Sequence, residues 1–279
     1  MKKITQQNLI LSLIENIVRS NIYVFILFRF LANQYFSKYV FESDFKVLKY
    51  FKNFQFYKNK CIIDIGGNDG ISIKSIRNFT NNYIYSFEPD PLNFKKISIL
   101  KKKDKKLSVF RYGLSDKNVN NIKFYQPFYK KFHLSPFDSL QRTDVLEHLK
   151  SSLFIKNIEK KIIIKKKFIN LKKLDFYNLN PCFIKIDIQG HEYKCVLGSL
   201  KTIRRSKPLI MVEYDKIESS KIFLILSKMG YKKYYYKSGP ELLIEHKNER
   251  VFNLFFIHKE IFKNKIIELK KLNYDNYKT

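Results

Sequence analysis

Cysteine is scarce in this sequence, and no two cysteines stand in the C-x-x-C spacing of a redox or metal-binding pair. Two of the three, Cys61 and Cys182, begin apolar strand-like runs, where a small hydrophobic side chain packs well; the third is Cys195. These features favour a reduced, intracellular setting. We expect a cytoplasmic protein, with membrane association as the alternative.

Long hydrophobic runs are also missing, which excludes an obvious membrane span. The one membrane-like segment, NIYVFILFRFLA at residues 21–32, is too short to cross a bilayer, and Arg29 interrupts it. No small-residue cleavage site follows a basic stretch, so nothing indicates export. The segment predicts either one or two helices that cap the core or an interfacial helix, with peripheral membrane contact through residues 8–32.

Acidic residues are few, with 25 Asp and Glu against 54 Lys and Arg, which gives a formal net charge of +29. A charge of this sign attracts nucleic acid, anionic membranes and acidic substrates alike. The lysines are spread along the chain together with abundant Ile and Asn, the pattern that A+T-rich codons produce. The charge is therefore a weak indication of function. The 45% of hydrophobic residues predicts a folded protein.

From residue 60 onward, apolar runs of strand length alternate with helix-period segments, which predicts an α/β fold with a parallel sheet flanked by helices. After a strand at residues 183–188, apolar positions in residues 193–203 predict one helical stripe. We expect a main domain at residues 51–258 with an insertion around 118–170 that carries substrate contacts. Residues 1–50 form an N-terminal helical extension in this interpretation, and residues 259–279 a basic helix or tail.

Glycine is rare too, yet three of only eight glycines fall in the loop Gly66-Gly67-Asn68-Asp69-Gly70, after the strand CIIDI. This loop is not the G-x-G-x-x-G of a dinucleotide site, since its last glycine comes one residue early. It also lacks the Gly-Lys-Ser/Thr ending of a P-loop. The loop therefore does not favour a phosphate ligand.

Acids at the ends of two predicted strands suggest a different ligand. Asp64 precedes the glycine loop, and Glu88 ends the next strand, where an acid accepts hydrogen bonds from ribose hydroxyls. The aspartate, the glycine turn, whose backbone N–H groups can approach a carboxylate, and Glu88 suit a ligand that has an amine, a carboxylate and a ribose. S-adenosylmethionine has all three groups. We expect a side chain at Gly66 or Gly70 to occupy the space of its methionine moiety.

Six sequence blocks, in order and spacing, resemble the FkbM-type methyltransferases. The blocks are DIGGNDG, YSFEPDP, YGLSDK, FIKIDIQGHE, VLGSL and KPLIMVEYD, and they lie within residues 60–258. The resemblance implies a Rossmann-like class I methyltransferase fold, with a mostly parallel seven-stranded sheet flanked by helices. It also implies S-adenosylmethionine as the cofactor.

The resemblance assigns candidate roles residue by residue. The cofactor-binding candidates are Asp64, Gly66, Gly67, Asn68 and Gly70 on the methionine side, Glu88 on the ribose, and Ser115 and Asp116 near the adenine. The catalytic candidates are Asp187, at the carboxyl end of the fourth strand by the methyl group, and His191. Gln189 stands where the family often has glutamate, so we expect no metal at this point.

Structural explanations compete with some of these roles. Asp187 shares a strand face with Lys185, so a buried ion pair would also explain it. His191 stands at a helix start, a position that needs no catalytic explanation. We expect His133 and His148, in the insertion, to be solvated.

The sequence thus predicts an S-adenosylmethionine-dependent O-methyltransferase that acts on a hydroxyl of a glycan or a natural-product-like small molecule. No specific nucleic acid is expected. An RNA methyltransferase is the alternative that the charge favours, and a basic face with stacking aromatics near the cofactor would support it. A non-catalytic protein that binds a membrane surface is the other alternative.

Overall fold

The computed structural model of the chain describes residues 14, 16–31, 43–51, 57–237, 242–247, 249 and 251–262. No helix within these residues has the length and apolarity needed to cross a membrane. Residues 1–13, 32–42 and 263–279 of the predicted extension and tail lie outside the described part, and the predicted domain limits stay predictions.

The described residues form strands and helices in alternation from residue 61 onward. The strands are β1 Cys61–Ile65, β2 Ile84–Phe87, β3 Leu107–Phe110, β4 Gly113–Leu114, β5 Val119–Tyr129, β6 Phe132–His133, β7 Ile163–Lys172, β8 Pro181–Ile186, β9 Leu209–Glu213, β10 Tyr231–Lys237, β11 Leu242–Glu245 and β12 Asn253–His258. The helices are α1 Ile22–Leu31, α2 Val47–Phe51, α3 Ile71–Arg77, α4 Pro91–Lys103, α5 Arg142–Ser152, α6 Ile158–Lys161, α7 Glu192–Leu197, α8 Leu200–Ser206, α9 Lys216–Lys228 and α10 Lys259–Phe262.

The main sheet has the strand order β11-β10-β12-β9-β8-β1-β2-β3. From β3 to β9 the strands are parallel, and β12, β10 and β11 pair antiparallel. This Rossmann-like α/β architecture confirms the predicted fold class. The predicted strand number was wrong, because the described residues place eight strands in this sheet and not seven. The additional strand is β11, a four-residue edge strand that pairs with β10.

Helices cover both faces of the main sheet. In β1, Ile62 packs against one core cluster and Ile63 against the other, as side chains that alternate along a strand must. The first cluster includes Ile73 of α3 and Ile97 of α4. The second includes Ile222 of α9. Burial on both faces explains why the central strands are continuous apolar runs in the sequence.

The helical stripe predicted at residues 193–203 is divided between two helices, α7 and α8, so the prediction of one stripe was wrong. Gly198 ends α7, and a Cβ atom there would lie 1.9 Å from the carbonyl oxygen of Ser115. Glycine is therefore required by the close approach of the β4 end, and the chain turns there before α8 begins.

The chain between β3 and β8 forms a second sheet of four strands, in the order β4-β7-β5-β6. Its long strands β5 and β7 are antiparallel. α5 and α6 pack beside this sheet in a separate apolar cluster, which contains Val145 and Leu149 of α5 and Ile22 of α1. The N-terminal helix thus lies on the insertion and not on the main sheet.

Candidate functional site

A cavity lies where the carboxyl ends of β1, β2 and β8 face the inserted sheet. Five predicted site residues line it: Gly66, Asn68, Glu88, Asp187 and His191. The opposite wall is largely apolar and comes from the insertion; it includes Phe124, Pro136, Leu140, Ile169 and Leu171. Ligands of open α/β sheets bind at this end of the strands, so the cavity is the candidate site.

The backbone of the glycine loop is held against β8. Gly66 has a φ of +82°, and a Cβ atom there would lie 1.9 Å from the carbonyl oxygen of Asp187. At Gly70, which has a φ of +86°, a Cβ atom would lie 2.6 Å from Leu100 Cδ1. Both glycines are therefore required by the protein itself. The expectation that side chains there would enter the ligand space was wrong, because they would strike β8 and α4 instead.

Glu88 fixes the shape of this loop from the end of β2. One carboxylate oxygen accepts the Asn68 N–H at 2.7 Å, and the other accepts the Asp90 N–H at 2.8 Å. The side chain is buried yet lines the cavity. Burial raises the pKa of Glu88 to about 8, although the two N–H bonds act in the opposite direction.

Asp64 lies beneath the loop and is fully buried. Its carboxylate accepts the Ser86 hydroxyl at 2.9 Å and lies 3.6 Å from Lys185 Nζ. The same ammonium donates to the carbonyl oxygen of Gly66 at 3.1 Å. Asp64, Gly67 and Gly70 do not line the cavity, so Asp64 supports the loop from below and the two glycines shape its backbone.

Asp187 lies at the end of β8 and faces the cavity, with its side chain 38% exposed. Lys185 Nζ is 3.2 Å from its carboxylate. The Gln189 amide bridges Asp187, at 3.3 Å, and Glu213, at 2.8 Å. Burial acts to raise the pKa of Asp187, but the Lys185 charge and the hydrogen bonds that Asp187 makes with Lys185, Glu213 and Gln189 lower it below its usual value. The lowered pKa favours the ionised form of Asp187.

Ser115, which is predicted to lie near the adenine, and His191, which is a catalytic candidate, are joined by a hydrogen bond. The Ser115 hydroxyl lies 2.9 Å from His191 Nε2 and 2.9 Å from the Asp116 carboxylate. Burial, and next the charge of Lys194, lowers the pKa of His191 to about 4, so the imidazole is neutral at pH 7. Ser115 and Asp116 stand behind His191 and do not line the cavity.

Sequence reasoning missed the polar residues that the insertion and α1 contribute to the site. Ser135 donates to the Asn68 side chain at 2.7 Å, which ties the glycine loop to the insertion. Arg29 of α1 is paired with Asp69 at 2.6 Å and also lines the cavity. The segment HLSPFDS, residues 133–139, contained a signal for such contacts, because a proline between polar residues favours a tight turn. In the structure, a 3-10 turn at Ser135–Phe137 brings the polar residues on its two sides together.

His133 is not solvated as predicted, since only 9% of its side chain is exposed. It contacts Asp138 at 2.8 Å, and the Gln126 amide lies 2.7 Å from Asp90 in the same cluster. Burial raises the pKa of Asp138 to about 6. Ligand atoms of Asp90, His133 and Asp138 lie within 4.8 Å of one another, so these three residues could hold a metal ion.

Residues 64–233 match the family described as the methyltransferase FkbM domain. The chain belongs to this family. The matched range begins at Asp64 and contains every residue predicted for the site, whereas α1 and the strands β11 and β12 lie outside it. No curated protein matches the chain.

Solved structures of methyltransferases resemble the chain at low identity. Methyltransferase FkbM from Methylobacillus flagellatus KT has 13% identity and a TM-score of 0.45, over 71% of this chain and 43% of that one. Precorrin-6y C5,15-methyltransferase from Geobacter metallireducens GS-15 has 11% identity and a TM-score of 0.32, over 72% and 82%. Aeropyrum pernix fibrillarin, with natively bound S-adenosyl-L-methionine, has 8% identity and a TM-score of 0.38, over 76% and 73%. The chain thus spans less than half the length of the FkbM structure.

The residues present fit S-adenosylmethionine, the cofactor that the family implies. Glu88 offers a carboxylate at the end of β2, Asn68 offers a polar side chain in the glycine loop, and the insertion offers an apolar wall. These three features would suit a ribose, a charged methionine portion and an adenine ring.

Proposed function

We propose that the protein transfers a methyl group from S-adenosylmethionine to a hydroxyl group of a glycan or a natural-product-like small molecule. The observation that carries this proposal is the single cavity shared by the glycine loop, Glu88 and Asp187. When bound there, S-adenosylmethionine would supply an activated methyl group on a sulfonium.

The residues of the chain would then position the acceptor and receive its proton. Asp187 is ionised and reaches the cavity, so a carboxylate oxygen is available to accept the hydroxyl proton. Lys185 and Gln189 hold this carboxylate in place. His191 is neutral but is engaged by Ser115, which supports a positioning role.

The charges around the cavity favour an uncharged acceptor over RNA. Among the described residues that line it, Asp138 and Asp187 carry carboxylates, Glu88 is largely neutral at pH 7 because its pKa is raised to about 8, and Arg29 is the only Lys or Arg. Arg29 is itself paired with Asp69. A phosphate backbone would meet repulsion at this mouth, since affinity for nucleic acid comes mainly from cationic contacts to phosphates.

The first test replaces Asp187 and compares binding with turnover. We expect Asp187→Asn to keep the affinity for S-adenosylhomocysteine within about threefold and to lower turnover at least about a hundredfold, the low end for lost general-base catalysis. The binding is measured by calorimetry, and turnover by single-turnover transfer of labelled methyl to a panel of mono- and oligosaccharides, with RNA as the competing acceptor class.

His191→Ala is the matched comparison, with a smaller expected loss of turnover. An inactive His191→Ala variant together with an active Asp187→Asn variant would assign the role of general base to His191. Two active variants would leave acceptor positioning as the whole mechanism. Absence of S-adenosylhomocysteine binding by the folded wild-type chain would contradict the proposed function itself.

A further inference from the structure

Helix α1 is apolar around its whole circumference apart from Arg29. One side packs on the insertion, where Ile22, Phe25 and Ile26 contact the cluster that contains Leu134 and Phe137. A helix that is apolar on all sides is buried in protein or in lipid. Three residues of the helix, Tyr23, Leu27 and Phe30, nevertheless remain exposed.

The uncovered side carries a continuous apolar stripe. Tyr23, Leu27 and Phe30 follow one another at helical spacings of four and three residues and are 50%, 55% and 58% exposed. The stripe continues onto α4, because Phe30 and Ile99 line the same shallow groove and Ile99 is 53% exposed. We call these four residues the α1 docking surface.

Lysines flank the α1 docking surface at both ends. Near Tyr23, Lys130 Nζ lies 2.8 Å from the phenol oxygen and 5.5 Å from the ring centre, and Lys131 follows it in the β5–β6 turn. Near Phe30, Lys74 and Lys96 line the groove. The acid in this groove, Asp69, is paired with Arg29. The surface is thus apolar along its middle and cationic at its ends.

This arrangement favours one occupant, an anionic lipid bilayer. Leu27 and Phe30 can enter the acyl boundary, Tyr23 suits the interface because its ring is apolar and its hydroxyl polar, and lysines are attracted to anionic headgroups. A second copy of the chain would oppose the same lysines to each other, and the net charge of +29 would add repulsion. Nucleic acid would gain nothing from Leu27 and Ile99, the two aliphatic side chains of this surface.

We propose that the α1 docking surface holds the protein on anionic membranes, with α1 in the plane of the interface. Arg29 belongs to the same helix and lines the candidate site, so docking brings the mouth of the cavity close to the lipid headgroups. An acceptor would then be met at the membrane surface, a consequence that rests on the proposed function. The docking itself does not.

Vesicle sedimentation with the full chain tests the docking directly. The vesicles are phosphatidylcholine alone, or phosphatidylcholine with roughly one part in three of phosphatidylglycerol, which supplies the negative surface potential. We expect binding to the anionic vesicles at about 0.15 M salt. At about 1 M salt the binding should weaken but persist, because apolar burial is not screened.

Variants separate the apolar contribution from the cationic one. Leu27→Glu with Phe30→Glu should lower partitioning at least about tenfold and remove the salt-resistant part. Lys130→Gln with Lys131→Gln should weaken binding at low salt and leave the salt-resistant part unchanged. Leu224→Glu is the matched control, since Leu224 is 62% exposed on α9, which packs against β10 and β12.

A second measurement does not depend on how the double glutamate variant folds. The three native cysteines are buried, so Leu27→Cys can be labelled selectively with a polarity-sensitive dye, whose emission should shift to the blue on anionic vesicles. Loss of all binding at high salt, equal binding of the Leu27→Glu, Phe30→Glu variant, or no emission shift would overturn the proposal. If the wild type does not bind vesicles but forms a dimer, and the Leu27→Glu, Phe30→Glu variant is monomeric, the surface would be assigned to a second copy of the chain.

Discussion

At the scale of single residues, Glu88 is an acid whose surroundings differ strongly from those of a surface carboxylate. It is buried at the end of β2, its two oxygens accept backbone N–H groups, and the carboxyl groups of Asp90 and Asp138 lie close enough to add to its raised pKa. The ribose of a bound cofactor would supply further donors to this group. In the free protein, the ionised form of Glu88 is disfavoured, and stability should therefore depend on pH.

We expect this dependence to appear when wild type is compared with Glu88→Gln. Burial raises the pKa of Glu88 from 4.5 to about 8, so between these pH values the folded state binds more protons than the unfolded state. The free energy of unfolding of the wild type therefore falls as pH rises through this window, by at most about 1.4 kcal/mol per pH unit for one proton. Relative to wild type, Glu88→Gln should gain stability from about pH 4.5 to 8 and stay level above.

Urea unfolding at a series of pH values, without cofactor, measures the difference. Glu245→Gln is the control, because the Glu245 side chain is 58% exposed on the edge strand β11. This variant measures what the loss of one exposed carboxylate does by itself. Parallel curves for wild type and Glu88→Gln would show that Glu88 is ionised in the folded protein.

The residues that the sequence located well are those whose position follows from strand ends. Glu88 and Asp187 each end a buried apolar run, and in a parallel sheet such ends meet at one edge, so their proximity was predictable. The burial of His133 was not. It depends on contacts with Asp138 and with the Phe128 ring, which stacks on the imidazole at 4.8 Å. Such contacts arise from the tertiary arrangement of the insertion and leave no period in the sequence.

At the scale of elements, the connection from β1 to α3 shows how strand packing dictates sequence. Gly66 lies in the loop after β1 and Gly190 in the loop after β8, and both have positive φ, +82° and +87°. The room around the two glycines differs, because a Cβ atom at Gly190 would meet only an Asp144 oxygen, at 3.7 Å. The two positions therefore separate backbone strain from steric conflict.

We expect Gly66→Ala to destabilise the protein by about 3 kcal/mol or more, since it combines strain with collision against the β8 backbone. Gly190→Ala should lose only about 1 to 2 kcal/mol, the range for a left-handed conformation with a side chain. Urea midpoints at constant m-value measure both. Similar losses for the two variants would mean that β8 moves away at little cost.

The prediction of helices and strands succeeded where the hydrophobic period of a segment agreed with the residues at its ends. At the start of α4, for example, Asp90 caps the helix through the Asn93 N–H at 2.9 Å and Pro91 occupies its first turn, and both residue types favour a helix start in a sequence. It failed where the stretch was short, as at β11, whose four residues give too little alternation to separate a strand from a loop. The division between α7 and α8 was missed because the reason for Gly198 is a contact with distant Ser115.

At the scale of the whole molecule, three separate parts of the chain meet at the glycine loop. Asn68 accepts from Ser135 of the insertion at 2.7 Å, and Asp69 is paired with Arg29 of α1 at 2.6 Å. Neither link could be predicted, because each joins residues far apart in sequence through side chains alone. Their consequence is that a ligand that orders the loop should also stabilise α1 and the insertion.

Hydrogen exchange with and without S-adenosylhomocysteine can follow this coupling. We expect binding to slow exchange in residues 66–71, and also in residues 133–138 and in α1, because ligand energy is shared by all segments that the bound loop contacts. Arg29→Leu should abolish the added protection of α1 while residues 133–138 keep theirs. Arg204→Leu, at an exposed position on α8, is the control for loss of one positive charge and should leave all three responses intact. Protection of α1 that survives in Arg29→Leu would mean that the apolar contacts of Ile22 and its neighbours with the insertion carry the coupling, and that the ion pair at the loop is dispensable for it.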